Sequence, residues 1–216
     1  MQVLTSVEVT GSSSGFGRTL TEIALAKGEK VVATARKPET LSDLRDRYFE
    51  DQLLLVGLDV VKEEDISAAF ILAKKAFGRV DVVFNNAGVS LGAEVEGTPN
   101  DAARTMFEIN FWGAANVSRE AVRFFRDENP SGAGGRLITV GSYAGMAPFG
   151  GLGYYSATKA GKRRHTSIVY SANFDLCAAI IAINEALAKE IDPQWNIKAS
   201  NRQLDAGEKN KTYSYC

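Results

Sequence analysis

The chain has 216 residues, 45% of them hydrophobic and 24% charged, a balance that supports one sizeable core and excludes a disordered polyelectrolyte. A formal net charge of -1, with acids and bases scattered, lacks the concentrated basic footprint of a nucleic-acid binder. Two cysteines without metal-ligand spacing (Cys177 and Cys216), no leader pattern in residues 1–10 and a longest apolar run of only residues 177–183 exclude a disulfide framework and a membrane span, so a cytoplasmic setting is expected.

Residues 3–10 predict a first strand, residues 11–17 a glycine- and serine-rich loop, and residues 18–27 a helix with Leu20, Ile23, Ala24 and Leu25 on its apolar face. Residues 30–35 (KVVATA) predict a second strand, 41–48 a second helix, and 53–58 (LLLVGL) a third strand bounded by Asp59. Residues 63–77 predict a helix with Ile66, Phe70, Ala73 and Phe77 on one stripe, and 80–84 (VDVVF) a fourth strand. A long helix is expected over 101–127, with Thr98 as its cap and Pro99 in its first position, and a fifth strand over 135–141. Strands that read as continuous apolar runs, alternating with helices, imply an α/β fold: a doubly wound parallel sheet with helices on both faces.

The loop TGSSSGFG (residues 10–17) joins the first strand to the first helix. Gly11, Gly15 and Gly17 permit a tight turn and a close approach to phosphate, while the helix N-terminus offers free N–H groups, so a pyrophosphate is the natural ligand. The plainer reading is a structural turn of small residues. At the end of the second strand, Ala35 offers no acid for a ribose 2′-hydroxyl, whereas Arg36 offers a guanidinium suited to a 2′-phosphate. NADP is therefore favoured over NAD, with Arg18 as a helper. The competing reading makes Arg36 a solvated charge beside Lys37.

Tyr155 and Lys159 stand four residues apart in YSATK and share a face if the segment is helical. An ammonium near a phenol favours the phenolate, and such a tyrosine can exchange a proton with a carbonyl or alcohol oxygen. Ser142, at the end of the fifth strand, could hydrogen-bond the same oxygen.

TGSSSGFG, Asp59 after the third strand, NNAG at 85–88, Asn110 on the long helix, Ser142 and YSATK follow one another in order. Together they resemble the short-chain dehydrogenase/reductase family over residues 3–160, with a shorter match at 183–198. The resemblance implies a Rossmann-like fold and an oxidoreductase moving a hydride between NADP(H) and a carbonyl or secondary alcohol. It makes Tyr155 the acid/base, Ser142 the residue that polarises the substrate oxygen, and Lys159 the partner of the tyrosine and of the nicotinamide ribose. Asn110 would support a proton-relaying water. Gly11, Ser13, Ser14, Gly15, Phe16, Gly17 and Arg36 would hold the phosphates, Asp59 and Val60 the adenine, and Asn86, Ala87 and Gly88 the adenine ribose. Each has a plainer reading: Asn110 bonding its own helix, Asp59 capping one, Ser142 a loop hydroxyl. Phe16, residues 144–154 and Phe111-Trp112 resemble members acting on lipophilic substrates, although packing explains such residues equally. Family members often assemble as homo-oligomers through the long helix and the helix after Tyr155.

Past Lys159 the resemblance breaks. Residues 161–182 (GKRRHTSIVYSANFDLCAAIIA) lack a helical period and carry the sole histidine, His165, among basic neighbours. Residues 161–179 read as a translated intron: Gly161-Lys162 can be encoded with a splice donor, Ala172-Asn173 with a branch-point-like sequence, and the alanines after Cys177 with an acceptor. A looped-out insertion is the alternative. The expected organisation is one dinucleotide-binding domain over 1–198, with 199–216 a disordered tail and the family's C-terminal strands missing. A second functional reading follows: a cofactor-binding but inactive, or aberrantly spliced, product.

Overall fold

The structure is a computed structural model that describes residues 5–160, 190 and 192–202. Six strands form one parallel sheet: β1 Ser6–Val9, β2 Lys30–Ala35, β3 Leu53–Gly57, β4 Val82–Asn85, β5 Gly135–Val140 and β6 Ile197–Arg202. They lie in the order β3-β2-β1-β4-β5-β6. The chain thus winds outward from β1 to one edge and then from β4 to the other. The crevice outside the carboxyl ends of β1 and β4 is where such sheets bind ligands.

Helices cover both faces. On one, α1 (Gly15–Ala26), the short α2 (Ser42–Arg45) and the turn just before it pack Leu25, Leu44 and Leu41 on Val7, Val9, Val31 and Phe84. On the other, α3 (Glu63–Phe77) and α5 (Ala114–Asp127) pack Phe70, Val117, Phe124 and Phe125 on Val32, Val83 and Leu137. α3 follows its sequence signals closely. Glu63, Glu64 and Asp65 sit at its positive end, Lys74 and Lys75 at its negative end, and Gly78 closes it at φ +80°, its N–H donating to Lys74 O.

Several local expectations change. On α1, Ile23 is exposed and Thr21 is buried in its place. The residues before α2 form a 3-10 turn, Pro38–Leu41. Thr98 does not cap the long helix: its hydroxyl donates to Glu94 O, and Pro99 takes the cap position. That helix is also not a single α-helix. It comprises α4 (Asn100–Phe107), a π-helical segment (Glu108–Gly113) and α5. Gly113, at the end of the π-helical segment, lies against Val60: a Cβ there would lie 2.7 Å from Val60 Cγ2.

The sixth strand corrects the boundary at residue 198. Ile197 to Arg202 pair in register with Gly135 to Val140, so residues 199–202 belong to the sheet. The sequence there, ASNR, has no apolar alternation; a parallel ladder needs only backbone N–H and C=O groups. The insertion at 161–182 with its intron reading, His165, Cys177 and the tail beyond 202 lie outside the described residues. Among the described residues, no helix is long and apolar enough to cross a membrane.

Candidate active site

The loop after β1 is built for close approach. Gly11 and Gly15 adopt left-handed φ values of +69° and +54°, which a side chain would oppose. A Cβ on Gly17 would overlap the Gly11 carbonyl, so α1 can start this near the loop only with glycine there. α1 has no acid in its first turn and no side-chain cap, which leaves its leading N–H groups facing the crevice mouth.

Buried hydroxyls hold the loop in place. Thr10 Oγ1 accepts from Asn86 N at 2.8 Å and from Ala87 N at 2.9 Å, while Asn86 Nδ2 donates back to Thr10 O at 2.9 Å. Ser12 Oγ donates to Val9 O at 2.9 Å, and Ser12 N to Thr34 O at 2.8 Å. Asn85 donates to Ala114 O at 2.7 Å and to Ser118 Oγ at 3.1 Å, anchoring the end of β4 to α5. The NNAG turn is therefore a clamp between the glycine loop and the long helix.

On the other side, α6 (Gly153–Lys159) carries Tyr155 and Lys159 one turn apart. Lys159 is buried, its Nζ donating to Val140 O at 3.3 Å. Ser142 starts the turn after β5, its hydroxyl accepting from Ala144 N at 3.2 Å. A Cβ on Gly145 would overlap the Lys159 carbonyl, so this turn packs directly on the end of α6.

These elements enclose a crevice of about 510 Å³. Its lining includes Gly11, Ser13, Ser14, Gly15, Phe16, Arg36, Asp59, Val60, Asn86, Ala87, Gly88, Ser142, Tyr155 and Lys159, all singled out in the sequence. Two others from that set lie behind the wall. Gly17 is buried packing under the loop. Asn110 is fully buried: Oδ1 accepts from Val89 N at 2.8 Å, and Nδ2 donates to Val89 O at 2.8 Å and to Thr158 Oγ1 at 3.0 Å. Its side chain thus bonds neighbouring segments and not its own helix.

Arg18 is not among the residues lining the crevice. It pairs with Glu22 at 3.0 Å and with Asp43, whose carboxyl it holds below its ordinary range. Arg36 remains as the basic side chain at the end of β2. Asp59 Oδ1 accepts from Val61 N at 3.3 Å, so it braces its own turn as well as lining the crevice. Phe111 and Trp112 stack edge to face, 4.9 Å apart, away from the crevice lining. Thr10, Ser12, Asn85 and Thr158 lie in motifs that the sequence singles out, but their bracing roles are not legible there; those of Thr10, Asn85 and Thr158 depend on partners distant in the chain.

The short chain dehydrogenase family model matches residues 5–200, which takes in both the glycine loop and YSATK. The chain belongs to the short chain dehydrogenase family. This short chain dehydrogenase is 34% identical to an uncharacterised oxidoreductase of Schizosaccharomyces pombe over 89% of its own length and 57% of the relative's. It is 33% identical to the NADP-dependent 3-hydroxy acid dehydrogenase YdfG of Escherichia coli, over 71% of this chain and 60% of that one. A crystal structure of a short-chain dehydrogenase from Streptomyces avermitilis superposes with a TM-score of 0.76 at 32% identity, covering 93% of this chain and 65% of that chain. The chain thus spans 57–60% of the length of these two curated relatives.

Proposed function

We propose that this chain is an NADP(H)-dependent oxidoreductase that interconverts a small carbonyl compound and the corresponding secondary alcohol, with Tyr155 as acid/base. The observation that carries the reading is that Tyr155, Lys159 and Ser142 line the same crevice as the glycine loop. When bound, the dinucleotide supplies or takes the hydride. Gly11, Ser13, Ser14, Gly15 and Phe16, with the first turn of α1, hold the diphosphate. Asp59, Val60, Asn86, Ala87 and Gly88 hold the adenosine side. Arg36 takes the 2′-phosphate through charge-assisted hydrogen bonds, and the NADP dependence of the Escherichia coli relative supports that preference.

In the reducing direction Tyr155 gives its phenolic proton to the carbonyl oxygen while Ser142 donates a hydrogen bond to it. In the oxidising direction the phenolate takes the hydroxyl proton. Lys159, one turn further along α6, holds the nicotinamide ribose hydroxyls. Gly17 and Asn110 act by packing and by bracing. Phe16, half-exposed in the crevice lining, supports a lipophilic substrate. The cysteine-poor composition supports a cytoplasmic setting, and half-exposed Trp112 on the long helix supports homo-oligomer formation through that helix.

The test is NADPH oxidation against a panel of aldehydes and ketones, with nicotinamide fluorescence as a separate measure of binding. Saturable turnover that disappears in Tyr155→Phe while binding persists is expected. Binding without turnover in the unaltered chain would establish the inactive, cofactor-binding reading instead.

A further inference from the structure

We propose that Thr158 is a positioning residue: through Asn110 it ties the helix bearing Tyr155 and Lys159 to the loop that follows β4. Thr158 and Asn110 are both 0% exposed. The bonds between them admit one arrangement. Val89 N–H requires an acceptor, which fixes Asn110 Oδ1 toward it at 2.8 Å. The Asn110 amide nitrogen then spends its two protons on Val89 O at 2.8 Å and on Thr158 Oγ1 at 3.0 Å. The Thr158 hydroxyl, having accepted that bond, donates its own proton to Tyr155 O at 2.7 Å.

A continuous chain of hydrogen bonds therefore runs from the loop after β4, through the π-helical segment, to the backbone of Tyr155. It passes close to Lys159: a Cβ on Gly88 would lie 3.2 Å from Asn110 Oδ1 and 3.6 Å from Lys159 Nζ. Gly88 and Val89 line the crevice on one side of this joint, and Tyr155 and Lys159 line it on the other. Thr158 itself has no place in the lining, so it acts only through what it holds. Valine matches threonine in shape but lacks the hydroxyl. In Thr158→Val one buried Asn110 N–H loses its acceptor, and Tyr155 O loses a donor. Thr158→Ser keeps both bonds.

The kinetic arm of the test rests on the reading of Tyr155 as acid/base. Thr158→Val is expected to lower kcat by about tenfold to a hundredfold, a larger factor than any rise in the cofactor Kd, and Thr158→Ser to recover most of the loss. Wild-type kcat in Thr158→Val, or a serine variant as slow as the valine one, overturns the proposal. Amide hydrogen exchange gives a readout that needs no turnover. In Thr158→Val, residues 87–91 and 153–160 should exchange faster together while α1 keeps its rate; unchanged exchange at 87–91 overturns the proposal. Should the unaltered chain bind NADPH without turning over, the hydride-transfer reading fails and the exchange result alone decides the role of Thr158.

Discussion

Glu8 sits in the middle of the central strand, opposite Val32 on β2 and Val83 on β4, on the face packed by α3 and α5. It is 0% exposed, and neither carboxyl oxygen has a hydrogen-bond partner among the described residues. Burial in this apolar layer, and secondarily the charge of Glu120, push its pKa from 4.5 to about 8. The folded chain therefore keeps a proton that the unfolded chain sheds. The resulting stability is complete below pH 4.5, is lost progressively as pH rises toward 8, and changes no further above that. Over this window of about 3.5 pH units, at about 1.4 kcal/mol each, the loss approaches 5 kcal/mol. That is comparable with the whole stability of many domains. Urea unfolding of wild type, Glu8→Gln and Glu8→Leu between pH 5 and 9 isolates the effect. Wild-type stability should fall by about 3.5 kcal/mol from pH 5 to pH 8 relative to either variant. Leucine should also raise the midpoint at every pH, because it buries no unsatisfied carboxyl. Parallel pH curves for wild type and Glu8→Gln, or a leucine variant less stable than wild type at pH 8, would refute the reasoning.

Arg36→Ala should raise KM for NADPH by about tenfold to a hundredfold, the loss of charge-assisted hydrogen bonds to a phosphate, and leave KM for NADH unchanged; steady-state kinetics with both cofactors check it. Gly17→Ala places a methyl against the Gly11 carbonyl and within 2.6 Å of Asn86 Nδ2, with no flexible side-chain end to move aside for the carbonyl contact. It should cost about 1–3 kcal/mol in thermal or urea unfolding and weaken dinucleotide binding together with stability. A chain joined directly from residue 160 to residue 180 should give more soluble protein and faster turnover, with NADPH affinity little changed, if residues 161–179 are a translated intron. Sequencing the transcript provides the independent check, and a mature message retaining the segment would count against it.

The parallel sheet was legible because its strands are buried on both sides and read as unbroken apolar runs. β2 and α3 have the bounds that their periodicity predicts. The crevice was legible because it gathers loops at the carboxyl ends of strands, where glycines and polar side chains interrupt that periodicity. Long-range hydrogen bonding was not legible. Thr10 meets Asn86 and Ala87 across 76 and 77 residues, and Asn110 meets Thr158 across 48, separations that no local pattern encodes. β6 was missed for a related reason: its residues enter the sheet through backbone pairing, with little apolar alternation to announce it. Glu8 shows the opposite failure. The stretch Ser6–Val9 reads as a strand despite its carboxylate, and only burial reveals how unusual the acid is there.

The cofactor side of the crevice and the Ser142, Tyr155 and Lys159 set all lie before residue 161. Bonds among residues before 161 brace the loops around them: Thr10 to the NNAG turn, Asn85 to α5, Asn110 to Val89 and Thr158. Dinucleotide affinity should therefore depend on the first 160 residues, whereas productive turnover also requires a wall for the substrate and a stable continuation of α6. The two measurements separate these contributions. Tight NADPH binding with slow turnover, relieved by joining residue 160 to residue 180, would place the fault in the segment between them and leave the proposed roles of Ser142, Tyr155 and Lys159 standing. Weak binding unaffected by the deletion would point back to the clamp between Thr10 and Asn86, the joint on which the whole crevice depends.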